Sequence, residues 1–170
     1  LRAKVSLVYV ENSFISLFNE TLGQLGIESV EYISAPLAQA NYLLTPYERQ
    51  RGAIIVDIGY ITTSVCGVLG NGLAGLSAFS LGGAHISGDF CEGFEISFAE
   101  AEQLKKDIVL SVNSKKAGNY EVNVENQVLF VPIASANEIV RERIEMIASF
   151  IKRSFQKFSE QNLENAQVYL

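Results

Sequence analysis

The chain has 170 residues, is 48% hydrophobic and 19% charged, and carries a net charge of −6. That is ordinary globular composition, long enough for a real core and favouring one domain with room for a small subdomain. The acidic balance argues against a nucleic-acid partner and against direct adhesion to an anionic membrane.

Two cysteines, Cys66 and Cys91, stand without metal-ligand spacing, which fits a reduced cytoplasmic compartment. No run approaches the ~20 apolar residues of a spanning helix, and no stretch reads as a signal peptide. The chain starts on Leu1 and stops inside an expected strand, so it reads as a piece of a longer protein.

Residues 4–10 alternate and then turn apolar, which predicts a strand. Asn12 or Ser13 can cap a helix with Phe14, Leu17, Phe18, Leu22 and Leu25 on one face, and Gly26 ends it. Residues 30–33 read as a short strand. Pro36 opens a helix of small residues over 35–40, and Thr45-Pro46-Tyr47-Glu48 is a cap and first turn. Residues 53–58 are a continuous apolar strand with both faces covered. Residues 62–69 and 73–80 pair across an Asn71-Gly72 turn. Leu81-Gly82-Gly83 is a turn, followed by a short helix from about His85. Ser97-x-x-Glu100 is a capping box opening a helix through Lys105. After a polar loop over 115–119, residues 120–124 and 128–133 form a second hairpin around Glu125-Asn126. Ser135-x-x-Glu138 starts a long helix with the stripe Ile139, Val140, Ile144, Ile147, Ile151, Phe155 and Phe158. Residues 166–170 are a last strand. The order predicts a mixed α/β layer fold with a small subdomain inserted over 97–135.

Three constellations carry possible chemistry. In Asp57-Ile58-Gly59-Tyr60-Ile61-Thr62-Thr63 a buried strand delivers one acid, backbone N–H groups and two hydroxyls to a tight turn. Such a turn can hold phosphate oxygens and a hydrated cation, with Asp57 reaching the cation through water. It can equally be a strand end that turns into a hairpin. The Gly82-Gly83 turn feeding a helix offers bare N–H groups to an anion, or is simply a structural turn. Glu102 and Lys105 lie three apart on one helix face and could grip ribose hydroxyls or a base edge; a solvated ion pair is the plainer alternative. His85, the single histidine, is assigned no role. The long helix carries Arg141, Arg143, Lys152 and Arg153 outward, as a solvated or a docking face. One histidine and two isolated cysteines supply no triad and no metal cluster, so no catalytic residue is assigned.

The ordered set Asp57-Ile58-Gly59-x-x-Thr62-Thr63, Asn-Gly hairpin, Leu81-Gly82-Gly83 and Glu100-Ala101-Glu102-Gln103-Leu104-Lys105 resembles the actin-like ATPase superfamily. Within it, the chain looks most like the FtsA family of bacterial cell-division proteins. Ala35-Pro36-Leu37-Ala38 with Thr45-Pro46-Tyr47-Glu48-Arg49 resembles the connecting helix and acidic turn before the second lobe, and residues 166–170 resemble the strand leading into the adenosine loop.

The resemblance implies an actin-like (ribonuclease H-like) mixed sheet flanked by helices, with residues 1–33 returning from a preceding lobe and 34–170 forming the second. It implies ATP and Mg²⁺ between lobes. Asp57 would lie near magnesium, with Gly59, Thr62, Thr63, Gly82 and Gly83 at the nucleotide and Glu102 and Lys105 at the ribose. It also implies self-polymerisation, a tubulin-like division protein whose C-terminal tail is held by a basic residue at Arg143, and a cytoplasmic location at the inner face of the cell membrane. The membrane would be reached through a segment absent here.

Three departures matter. Tyr60 and Ile61 stand where family turns carry glycines, Ser64 replaces a usual acid, and Ala35 occupies the place of a water-positioning glutamate. The last removes general-base help worth roughly 10²–10⁴ in rate, which predicts nucleotide binding with slow or absent hydrolysis. A pilus-assembly-type interaction scaffold on the same fold is the alternative, and a small-molecule kinase a more distant one.

Overall fold

The computed structural model describes residues 5–110, 118–124, 127–158, 163 and 165–170. Lys4, the segment 115–117 of the expected polar loop, and the Glu125-Asn126 turn lie outside the described residues.

The centre is a four-stranded mixed sheet of order β3-β2-β1-β6, built from β1 (Ala53–Ile58), β2 (Thr63–Leu69), β3 (Gly72–Phe79) and β6 (Gln167–Tyr169). β1 pairs antiparallel with β2 and parallel with β6, so the carboxyl ends of β1 and β6 share one edge. The apolar run of β1 is covered on both faces. Ala53 and Ile55 join Ala40 and Leu44 at the end of α2 (Ala35–Leu43), together with Cys66 and Val68. Ile54 and Val56 face Phe158, at the end of α6 (Ile133–Phe158), and Leu163. Fully burying each such side chain contributes about 1.5–3 kcal/mol, which is why a run without alternation sits in a central strand.

The β2–β3 turn departs from the expected register. Leu69 pairs with Gly72, so the two-residue loop is Gly70-Asn71 rather than Asn71-Gly72. Gly70 takes φ +64°, a backbone conformation suited to glycine at the first central position of a hairpin.

A second core joins α4 (Gly83–Phe94), α5 (Phe98–Asp107), the hairpin β4 (Asn119–Val124) with β5 (Gln127–Pro132), and the first half of α6. Phe90, Leu104, Val122, Val131 and Val140 are its buried centre. The capping boxes expected at Thr45–Glu48 and Ser97–Glu100 are formed, opening α3 (Pro46–Arg51) and α5. α4 begins at Gly83, earlier than expected, and α6 begins at Ile133 rather than at a Ser135 cap.

The stripe of α6 also differs at one position. Ile144 is 44% exposed, whereas Arg143 is half-buried between Val140 and Ile147. An ion pair to α4 holds Arg143 there, and a step of one residue turns Ile144 by about 100° toward water.

The N-terminal segment corrects two expectations. Residues 5–10 and 30–33 form no strand, since no sheet edge among the described residues pairs with them. α1 (Asn12–Gln24) forms, but Glu11 rather than Asn12 or Ser13 is its N-cap residue, and the helix buries none of its residues. Its end at Gly26 is as expected: Ile27 N–H reaches the Leu22 carbonyl at 3.0 Å and Gly26 N–H the Gly23 carbonyl at 3.0 Å.

Candidate functional site

The turn between β1 and β2 closes through Gly59 N–H donating to the Thr62 carbonyl at 3.0 Å. The start of α4 docks onto that turn. Gly83 N–H donates to the Gly59 carbonyl at 3.0 Å and Ala84 N–H to the Tyr60 carbonyl at 2.7 Å. A Cβ on Gly82 would stand 2.3 Å from the Gly59 oxygen and 2.7 Å from that of Tyr60. Only a residue without a side chain lets the two turns meet this closely. The Asp57–Thr63 turn and the Gly82-Gly83 turn are therefore in direct contact at one end of the sheet.

That contact corrects the expectation that α4 offers bare N–H groups to an anion. Its first donors are already used: Gly83 and Ala84 on the turn carbonyls, His85 N–H on the Gly82 carbonyl at 3.1 Å. Gly82 N–H is accepted by His85 Nδ1 at 3.1 Å, so the histidine caps its own helix. Thr63 is likewise consumed. It is fully buried and its hydroxyl donates to the Leu81 carbonyl at 2.7 Å, tying β2 to the turn after β3. Thr62, by contrast, is exposed.

Glu102 and Lys105 come to the same place from α5. Lys105 Nζ lies 2.5 Å from Glu102 Oε1 and donates to the Gly83 carbonyl at 3.1 Å. The Ser87 hydroxyl also donates to Glu102. The Lys105 ammonium first, and the Ser87 hydroxyl second, hold the Glu102 carboxyl below its ordinary range. The ring of Tyr60 covers this pair, with Lys105 Nζ 5.2 Å from the ring centroid. Partial desolvation first, and the Glu102 carboxylate second, push the Tyr60 phenol above its usual pKa.

Asp57 is exposed near the carboxyl end of β1. Its Oδ2 accepts from Gln39 Nε2 of α2 at 2.8 Å. The carboxylate borders a cavity of about 390 Å³ that Gln39, Leu43, Ile58, Tyr169 and Leu170 also line. Carboxyl ends of neighbouring parallel strands are where open α/β sheets receive ligands. Asp57 lies two residues before Gly59, so its Cα is within about 7 Å of that of Gly59. One carboxylate suits a cation held mainly by water and phosphate oxygens. Among the described residues, no three His, Cys, Asp or Glu side chains gather as a metal cage. Burial raises the Cys66 thiol to about 11, which keeps it protonated and inert.

Arg143 is not a free cation. Its Nε and Nη2 grip the Asp89 carboxylate of α4 at 2.7 and 2.5 Å, a two-point fork with both side chains mostly covered. Glu92 and Glu142 line the same groove, so carboxylates outnumber the one guanidinium there.

Sequence reasoning missed Gln39, Ser87 and Asp89. Gln39 had a signal, being the one long polar side chain in the small-residue run 35–40; nothing in the sequence pairs Ser87 with Glu102 or Asp89 with Arg143.

No protein-family model matches the chain. It is 26% identical over 147 residues to the cell division protein FtsA of Bacillus subtilis and 27% identical over 141 residues to that of Streptococcus pneumoniae. These alignments take in 84% and 81% of the chain, which spans about a third of either relative (33% and 31%). Among solved structures, MreB5 of Spiroplasma citri bound to AMPPNP superposes with a TM-score of 0.67 at 15% identity, over 86% of this chain and 48% of that one. The PilM–PilN type IV pilus biogenesis complex superposes with a TM-score of 0.59 at 17% identity, over 86% of this chain and 37% of that one.

Proposed function

We propose that this chain, which carries the actin-like fold and is similar in sequence to FtsA, belongs to an ATP-binding assembly protein of cell division. The observation that carries the reading is the contact of the Gly59–Thr62 turn with Gly82-Gly83, beside an exposed Asp57 at the strand end. Asp57 would hold Mg²⁺ through water, and Thr62 with the outer side of the Gly59–Thr62 turn would meet phosphate oxygens. Glu102 and Lys105 would meet the ribose. ATP would act as a switch ligand that favours a polymerising conformation. Hydrolysis would be slow, since Ala35 supplies no base and Gln39, which binds Asp57, cannot take a proton at neutral pH. The polymer would link the tail of a tubulin-like division protein to the inner face of the membrane, with residues 34–170 as the second lobe, 97–135 as its small subdomain and 1–33 as the return segment from a preceding lobe. The exposed apolar residues Val5, Leu7, Val8, Tyr9 and Val10 support that last assignment. Among the described residues, no helix is long and apolar enough to cross a membrane.

The test is ATP affinity of the full-length protein with and without Mg²⁺, for the unaltered chain and for Asp57→Ala. Loss of a charge-assisted contact should weaken Mg-dependent binding roughly ten- to hundredfold. Equal affinities would place the cation elsewhere. No binding at millimolar ATP would favour a second reading, a protein-interaction scaffold of the pilus-assembly kind. The use of the α4 N–H groups within the fold supports that second reading.

A further inference from the structure

We propose that Tyr60 is a gate over the Glu102–Lys105 pair, closed in this structure, and that it must swing away before a nucleotide can reach those two side chains. The inference rests on the nucleotide reading of the site and adds its regulation.

Four observations carry it. Tyr60 is 49% exposed, so packing does not hold its ring in the core. The ring nevertheless lies over the Lys105 ammonium, with the centroid 5.2 Å from Nζ, a cation–π arrangement. The same ammonium is bonded to Glu102 and to the Gly83 carbonyl, so the ring closes over the junction of α5, α4 and the β1–β2 turn. Finally, the backbone of Tyr60 is fixed independently, its carbonyl accepting from Ala84 N–H. The side chain can therefore leave while the turn stays. A ligand hydroxyl directed at Glu102 or Lys105 competes with the phenol ring for the same face. Opening costs the ring–ammonium contact and returns the pair to solvent.

A gate and a stacking platform make opposite predictions. If Tyr60 covers the pair, Tyr60→Ala tightens binding; if Tyr60 stacks on the base, the same change weakens it. The experiment measures binding of a fluorescent ATP analogue with Mg²⁺ to the full-length protein by stopped flow, for the unaltered chain, Tyr60→Phe and Tyr60→Ala. The expected result is roughly two- to fivefold tighter binding for Tyr60→Ala, carried by a faster association rate, with Tyr60→Phe between the two because its ring still covers Lys105 while the phenol's contact with Glu102 is lost. Acylation of the Lys105 amine in nucleotide-free protein should be faster in Tyr60→Ala, a readout that needs no nucleotide. Binding by Tyr60→Ala that is no tighter than that of the unaltered chain overturns the gate and leaves the nucleotide site standing. No binding by any variant overturns both. A lowered thermal stability without change in affinity or Lys105 reactivity makes Tyr60 merely structural and also overturns the gate.

Discussion

Gly82 stands where two carbonyl oxygens leave no room for a side chain. Its φ of −169° is extended backbone that any residue adopts, so the requirement is space and not conformation. Alanine there would push the start of α4 off the β1–β2 turn and strain the bonds from Gly83 and Ala84. Gly82→Ala should destabilise by about 1–3 kcal/mol or more, measured by chemical denaturation. A loss below about 0.5 kcal/mol would mean that the two turns separate readily. The double glycine was visible in the sequence as a turn, but its purpose was not. Glycine pairs are read from sequence as anion cradles because they bare N–H groups, whereas here the Gly83 and Ala84 N–H groups satisfy carbonyls of another turn 24 residues earlier in the chain, and Gly82 N–H is taken by His85. Thr63 follows the same logic, its hydroxyl being spent on Leu81.

Among the elements, α6 has the widest reach. Its 26 residues span about 39 Å and serve both cores, the first half against Phe90 and Val131, the second against Ile54 and Val65. Between these halves Arg143 clamps Asp89 of α4. A cycle of Asp89→Asn, Arg143→Gln and the double variant should give a coupling of about 1 kcal/mol in denaturant titrations, at the upper end for surface pairs because the fork is two-pointed and mostly covered. Coupling near zero would show that the pair is incidental to α4–α6 packing. The helix itself was legible from its spacing. The position of Arg143 was not, because an arginine in a helical stripe looks outward unless its carboxylate partner is known, and that partner is 54 residues away.

On the scale of the molecule, residues 34–170 hold every buried residue described, while the stretch from 5 to 33 holds none. Phe14 and Phe18 stack on one another at 4.5 Å yet remain 48% and 43% exposed. A chain beginning at Ser34 should thus melt within about 2–4 °C of the whole, as one cooperative transition followed by circular dichroism. Loss of that transition would show that the N-terminal segment braces the sheet.

Local patterning was enough for β1, for the β2–β3 hairpin though not its turn, both capping boxes and the long helix, because hydrophobic period and cap chemistry act within a few residues. It also singled out Asp57, Gly82, Glu102 and Lys105 as residues worth following. Which donors remain open to a ligand was settled by contacts between distant turns: Gly83 on Gly59, Thr63 on Leu81, Tyr60 over Lys105. A hydrogen-bonding group's availability depends on every neighbour the fold brings to it, and those neighbours are not adjacent in sequence.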